Sequence, residues 1–511
     1  MRAVIALAVV VTVGACRKSP PTFSGDVAPI VYARCAPCHH AGGAAPFALT
    51  SYDDVSRRAT QIARVTAGRI MPPWKALPGG VAFANERRLS DGEIATLRRW
   101  TEARAPLGDA ARVPPAPAFA GGWVLGKPDA VVELPAYALG ASGPDDYRNF
   151  VVRAPVSATR YVAAWDLHPN GRAIHHAIVN LDRNGFCRKR SGGDGKPGFP
   201  GMEAREAQSP DGFYLVWTPG LVPAPPVAGQ SWRLDADTDL VVQLHMQPTG
   251  KPETVQPTLA LWFADGPPTV PRATVRIGDL PIDIAPGARF TMRDALTLPV
   301  DAELLALFPH LHYLGRTVHV SARLPDGSER EILRIDDWDP AWQEKYVLAA
   351  PLHLPAGATL AMELGYDNSA ANPRNPRVPP VRVQTGERTV DEMGNVTFEL
   401  RLAGERDKTR LREAKYRREL ERGGGDARAW YNLGNTLGEE QRFGEAVAAY
   451  RRALALEPSL LPAHANLGRA LFVSGDVAGA VRAYEAALAL DPHNARVQAM
   501  LHEARARSEP R

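Results

Sequence analysis

Along the chain the spacing of apolar positions changes character several times. From about Phe23 to Leu107 it is helical: in LSDGEIATLRRW, Ser90 and Glu93 form a capping box ahead of the apolar series Ile94, Leu97 and Trp100. ARVPPAPAFAGG interrupts this, because clustered Pro, Ala and Gly build neither regular element, and residues 109–128 read as a linker. From about Asp129 to Leu402 the period drops to two, in short runs such as YVAAWDL, TDLVVQLHMQ, TLALWF, RTVHVSARL and TLAMELGY separated by Pro and Gly turns. That spacing predicts all-β sandwiches, and the length suits two, at 129–267 and 268–402, divided near FADGPPTVPRA. A highly charged helix with a glycine hinge follows at 403–425, its charges reading as a solvated face. Beyond it, Leu433 and Leu467, Gly434 and Gly468, Ala446 and Ala480, Tyr450 and Tyr484, and Pro458 and Pro492 all stand 34 residues apart. This predicts two helices per repeat and a last helix at about Ala495 to Ser508.

A chain of 511 residues is too long for one core, so three or four domains are expected. The apolar share of 45% and charged share of 23% are ordinary for a globular protein. A net charge of only +4, with Lys and Arg spread along the chain, argues against a nucleic-acid partner. MRAVIALAVVVTVGAC has one Arg and then an apolar run too short to span a bilayer comfortably, so residues 1–15 read as a signal peptide. Val13-Gly14-Ala15-Cys16 resembles the bacterial lipobox, which implies Cys16 as an acylated mature N-terminus and an exported, lipid-tethered envelope protein. The other reading is an ordinary signal with an incidental cysteine. With Cys16 lipidated and Cys35 and Cys38 otherwise engaged, Cys187 is left without a partner and no disulfide is expected. The 34-residue units, 426–511, resemble tetratricopeptide repeats, an all-α solenoid implying either a concave surface for a protein partner or a structural cap on the β region.

RCAPCHH contains Cys35-x-x-Cys38-His39. Cysteines so spaced form thioethers to haem vinyl groups, with the adjacent histidine as axial iron ligand. A thioredoxin-like redox pair is the competing use of the spacing, but the expected βαβ pattern is missing. Met71, in RIMPPW, is the only methionine between residues 2 and 201; a lone Met is more often core filler, but beside a CxxCH motif it is the candidate second axial ligand. His40 neighbours the proximal ligand on the same side of the ring and cannot easily serve. Residues 23–108 look like a small all-α class I cytochrome c, with one covalent haem c.

The β region holds its own clusters. In LFPHLHYLGR, His310 and His312 share one strand face while Leu311 takes the other. In LVVQLHMQ, His245 lies with Gln243 and Gln247 opposite the apolar face. His175 and His176, in AIHHAIVNLD, would point to opposite faces of a regular strand and share one metal only if the strand ends or bulges there. Met393, in TVDEMGNVTFEL, sits between acidic residues and Gly, a poor context for core and a plausible one for a ligand. Imidazole accepts both copper oxidation states and thioether favours Cu(I), whereas methionine is not a usual zinc ligand. For each histidine the plain reading is a hydrogen-bonded core or surface residue.

An HH pair, a later lone His on a strand, HxH followed by YLGR, and then DEM occur in the order seen in the copper type II, ascorbate-dependent monooxygenases, the peptidylglycine and dopamine hydroxylases; the resemblance covers about 129 to 402. It implies two jelly-roll-like sandwiches facing each other across a cleft. His175, His176 and His245 would bind an electron-transfer copper, and His310, His312 and Met393 an oxygen-activating copper. The implied activity is hydroxylation of a C–H bond of a small molecule or peptide with dioxygen, electrons arriving from an external donor through the fused haem in place of ascorbate. The chain departs from the family where Gly394 follows Met393, a position normally taken by Cys, and where Cys187 is unpaired, so no substrate residue carries over. The alternatives are a non-catalytic haem and copper electron carrier or copper sensor of the envelope, or a scaffold built around its repeats.

Overall fold

The computed structural model describes residues 19–508 apart from 44, 120–121, 203, 205–206 and 423–424; the signal segment and the lipobox Cys16 lie outside the described residues. The chain divides into two compact units, one running to Trp74 and resuming at Arg87–Gly126, the other formed by Lys75–Glu86 and everything from Lys127 onward.

The first unit is helical and small. Helices Ala28–Arg34, Ala59–Ala67 and Asp91–Glu102 close over Phe23, Val27, Val31, Leu97 and Trp100, each fully buried. The capping box is present: Ser90 Oγ accepts from Glu93 N at 3.2 Å while Glu93 Oε2 accepts from Ser90 N at 2.7 Å. The proposed linker is not free chain throughout, since Phe119 stacks on His40 with ring centroids 3.9 Å apart. A further departure is that residues 75–86 leave the helical unit. Their backbone runs along edge strands of two sheets of the second unit instead: Leu77 N donates to Arg334 O, and Ala84 N to Val347 O and Ala349 N to Ala82 O, each at 2.8 Å. The segment KALPGGVAF has no helical period, and a strand edge can satisfy its polar groups.

In the second unit, one sandwich pairs a five-stranded antiparallel sheet with a four-stranded one. In the first of these, Asp239–Met246 lies centrally between Asp146–Arg153 and Ile174–Asp182. Phe150, Val242 and Leu244 meet Val162, Leu167, Leu259 and Leu261 of the facing sheet in one core. The other sandwich places Ala302–Leu311 between Gly394–Leu402 and Tyr346–Leu354, facing a sheet containing Arg289–Thr297, Thr359–Asp367 and Gly315–Arg323. The departure at Gly394 has a steric reason: a Cβ there would stand 2.0 Å from the Tyr366 hydroxyl and 3.1 Å from Leu364. Cys187, in the short helix Phe186–Arg190, is buried against Phe199 and Val241.

The charged helix Glu405–Glu421 corrects the expectation of a purely solvated face. Arg418 and Arg422 both pair with the buried Asp294 of the second sandwich, and Arg412 pairs with Glu439 of the next helix. After it, Ala427–Glu439 with Phe443–Leu456 and Leu461–Val473 with Val477–Leu490 form two helical hairpins, closed by Ala495–Ser508. The repeat spacing has a packing cause: Gly434 and Gly468 lie under the rings of Tyr450 and Tyr484, where a Cβ would come within 2.6 and 2.5 Å.

Candidate metal centre

The adjacent histidines sit where the strand irregularity they require occurs. Ile174–Asp182 pairs with Asp239–Met246 with Ile174 opposite Met246 and His176 opposite His245, the register shifting between Ile174 and His176. The extra residue turns His175 to the same side as its neighbour. His175 Nδ1 lies 3.2 Å from His176 Nδ1, which lies 3.3 Å from His245 Nδ1. One ring nitrogen from each of the three falls within 4.8 Å of the others. At that range each contact is either a hydrogen bond, where one ring carries its proton on Nδ1, or a pair of facing lone pairs that a shared cation would satisfy.

His245 is held from behind. Its Nε2 lies 3.1 Å from Asp145 Oδ2, the same oxygen that accepts from Thr389 N at 3.2 Å and from the Thr389 hydroxyl. Burial alone would raise the Asp145 pKa, yet hydrogen bonds from His245 and Thr389 hold it below the usual carboxylate range. Tyr147, opposite His245 on the neighbouring strand, stacks on its ring at 4.1 Å. With Nε2 committed to Asp145, Nδ1 is left for a metal.

His310 is the last residue but one of the strand Ala302–Leu311 and His312 follows the strand, their ring centroids 5.1 Å apart, while Leu311 turns the other way into the core. His310 Nδ1 meets Gln343 Oε1 at 2.7 Å and His312 Nδ1 meets Asp391 O at 3.1 Å, so both rings keep Nε2 free. The sheet register sets Leu311 opposite Gly394, where the ladder ends, and His312 and Met393 lie just beyond that pair. Glu392 fixes that turn by accepting from His312 N at 2.5 Å, Leu314 N at 2.9 Å and Met393 N at 3.2 Å. Burial pushes its carboxyl up to about 8, against those hydrogen bonds.

The expected cleft is absent between these groups: the His176 and His310 ring centroids are 5.9 Å apart. The sandwiches dock here because Ile178 and Val216 pack with Tyr214 and Phe308, and Glu399 accepts from Tyr214 N at 2.9 Å. Burial, reinforced by neighbouring imidazoles, lowers the His175 and His312 pKa values to about 4 and drives His176 and His310 well below the ordinary value. All four are therefore neutral at physiological pH, the state that binds a metal. His175, His176 and His245 form a three-imidazole donor set of the kind that copper and zinc both accept.

In the first unit, the turn after Ala28–Arg34 brings the CxxCH residues together, with Cys38 N and His39 N both donating to Cys35 O, at 3.1 and 2.9 Å. Burial pushes the Cys35 thiol up to about 12. His39 Nδ1 contacts Phe47 O at 3.1 Å, leaving Nε2 as its ligand atom, so this turn fits a haem. His40 is excluded by its partners, Ala36 O and Gly122 O, each 2.9 Å from a ring nitrogen. Met71 is half-buried in the loop after Ala59–Ala67, its N–H donating to Val65 O at 3.2 Å.

Sequence reading missed Asp145, Tyr147, Gln343 and Glu392. A trace existed for two: Tyr147 stands opposite a ligand strand, and Glu392 directly precedes Met393. Asp145 and Gln343 reach the site only through tertiary docking.

Residues 427–460 and 462–494 match models of the tetratricopeptide repeat. The C-terminal region is a pair of tetratricopeptide repeats. No curated protein matches the chain. Among solved structures, the second tetratricopeptide domain of human RPAP3 in complex with an HSP70 peptide is 24% identical, covering 20% of this chain and 84% of that one at a TM-score of 0.19. The first tetratricopeptide repeat of Spaghetti (RPAP3) bound to an HSP90 peptide is 20% identical, covering 20% and 82% at 0.20. The Arabidopsis OM64 tetratricopeptide domain is 17% identical, covering 20% and 85% at 0.19.

Proposed function

We propose that this chain is a lipid-tethered envelope monooxygenase that uses copper and receives electrons through a c-type haem. The observation that carries the reading is the convergence of five histidines from two sandwiches, with His175, His176 and His245 already grouped around one point. These three would hold one copper, and His310, His312 and Met393 a second; Cys35, Cys38, His39 and Met71 would hold the haem. Copper there would supply one-electron redox chemistry toward dioxygen, for the overall conversion of R–H, O2, two electrons and two protons to R–OH and water.

The protein's own part is positional. Asp145 and Gln343 orient His245 and His310, so each imidazole presents a single nitrogen. The Glu392 turn brings Met393 beside His312, and burial keeps the imidazoles unprotonated. The substrate would be a small molecule or peptide with an accessible C–H bond, and the repeats would engage a protein partner.

Metal and haem analysis of the full chain expressed into the envelope tests this. One haem and two coppers are expected, with His176→Ala and His312→Ala each losing a different copper. Zinc alone in both sites, or two coppers retained in His176→Ala, would refute it. The non-catalytic carrier reading is favoured if reduced wild-type protein consumes oxygen no faster than Met393→Ala.

A further inference from the structure

Away from the histidines, a cavity of about 720 Å3 lies among the strand Arg272–Gly278, the turn from Ser209 to Tyr214 and the helix Glu405–Glu421. Arg276, Lys408, Arg412 and Lys415 line it, with Asp279 and Glu419 the acidic groups among its lining residues. Arg418 and Arg422 line it too, but Asp294 takes both.

Lys408 Nζ is 3.8 Å from Glu405 Oε2, and the other three cations have looser or partial partners. Arg276 Nη1 is 3.7 Å from Asp279 Oδ2, and its side chain remains 41% exposed on a strand whose flanking residues are buried. Its Nε donates to Thr397 Oγ1 at 3.3 Å, and Asp279 and the Tyr214 side chain both interact with the guanidinium, which aims it toward the cavity. Lys415 makes no hydrogen bond or ion pair among the described residues, and its ammonium lies 5.4 Å from the Tyr416 ring centroid. Burial lowers its pKa; Glu419 and Asp279 oppose, while Arg276 pushes the same way. Arg412 pairs through Nη2 with Glu439, while its Nε is buried without an acceptor. Like charges gathered in a partly desolvated cavity repel, and an anion between them relieves both the repulsion and the missing acceptor.

We propose that this cavity binds a small organic anion with two acidic groups, carboxylate or phosphate, one held by Arg276 and Thr397 and the other by Lys415 and Arg412. Leu280, Leu411 and Tyr214 supply an apolar wall for the carbon skeleton between them. The Tyr214 ring packs on Phe308 at 5.8 Å, two residues before His310, so the ligand would sit behind the wall of the histidine site. The inference stands apart from the copper reading.

Calorimetric titration of the full chain at constant ionic strength with succinate, and separately with 3-phosphoglycerate, tests it. Saturable one-to-one binding of at least one probe is expected, weakened about tenfold or more in Arg276→Ala and in Lys415→Gln. Binding should be unchanged in Arg98→Ala, an exposed control, and in His176→Ala, which separates this site from the metal centre. Succinate alone binding identifies a dicarboxylate site, and 3-phosphoglycerate alone a phosphorylated-acid site. Lys415→Gln keeps most of the side-chain volume, and its melting curve verifies the fold. Failure of both probes to bind, or unchanged affinity in folded Lys415→Gln, overturns the proposal.

Discussion

Replacing Asp145 by Asn changes the metal centre at one remove from its ligands. The Asp145 carboxylate takes His245 Nε2 at 3.1 Å and both Thr389 donors on a single oxygen, so it orients the imidazole and ties the two sandwiches together. Asn keeps the size but loses the charge, and its amide oxygen can take all three donors only as neutral hydrogen bonds. Loss of an outer carboxylate partner of a ligating histidine typically costs about 10- to 100-fold in metal affinity, or roughly 1.4–2.7 kcal/mol. Loss of the charge assistance in these bonds should lower stability by about 1–3 kcal/mol. Competition for Cu(I) with a chromogenic chelator reads the first effect and thermal melting the second. Only the copper bound by His175, His176 and His245 should weaken. A variant that melts lower but binds both coppers with wild-type affinity would show that Asp145 merely joins the sandwiches, and the orienting argument would be wrong.

Other outcomes are expected. Met393→Ala should fold, because the residue is half-buried in a turn held by Glu392, and should weaken copper only at His310 and His312; a large stability loss with unchanged copper affinity would mark Met393 as core. Asp166, buried in the strand Arg160–His168, has its pKa raised from 3.8 to about 7 by burial. Its folded form therefore holds a proton that the unfolded chain releases near pH 4, so its contribution is fullest below pH 4 and is lost as pH rises through about 7. Asp166→Asn should then gain stability relative to wild type between pH 5 and pH 8, by on the order of 4 kcal/mol at most, in paired denaturation curves. Gly434→Ala would drive a methyl to 2.6 Å from the Tyr450 ring and should destabilise the repeats by about 1–3 kcal/mol; an unchanged helical melt would contradict that packing.

What the sequence carried by itself was local and periodic. The Ser90–Glu93 capping box, the alternating strands and the 34-residue repeat each follow from backbone geometry and neighbouring residues, so reading along the chain found them. The adjacency of His175 and His176 even announced a strand irregularity, because regular alternation would have parted them. Tertiary structure alone decided what lies behind and between the histidines. Asp145 reaches His245 across 100 residues, and Gln343 reaches His310 across 33, so no spacing rule links them. The docking of the sandwiches, fixed by Tyr214, Phe308 and Glu399, brought His176 within 5.9 Å of His310 where an open cleft had been expected. The segment at residues 75–86 left its helical neighbours, and the charged helix turned two arginines onto Asp294, for one physical reason: a strand edge and a buried carboxylate each demand partners, wherever in the chain those partners lie.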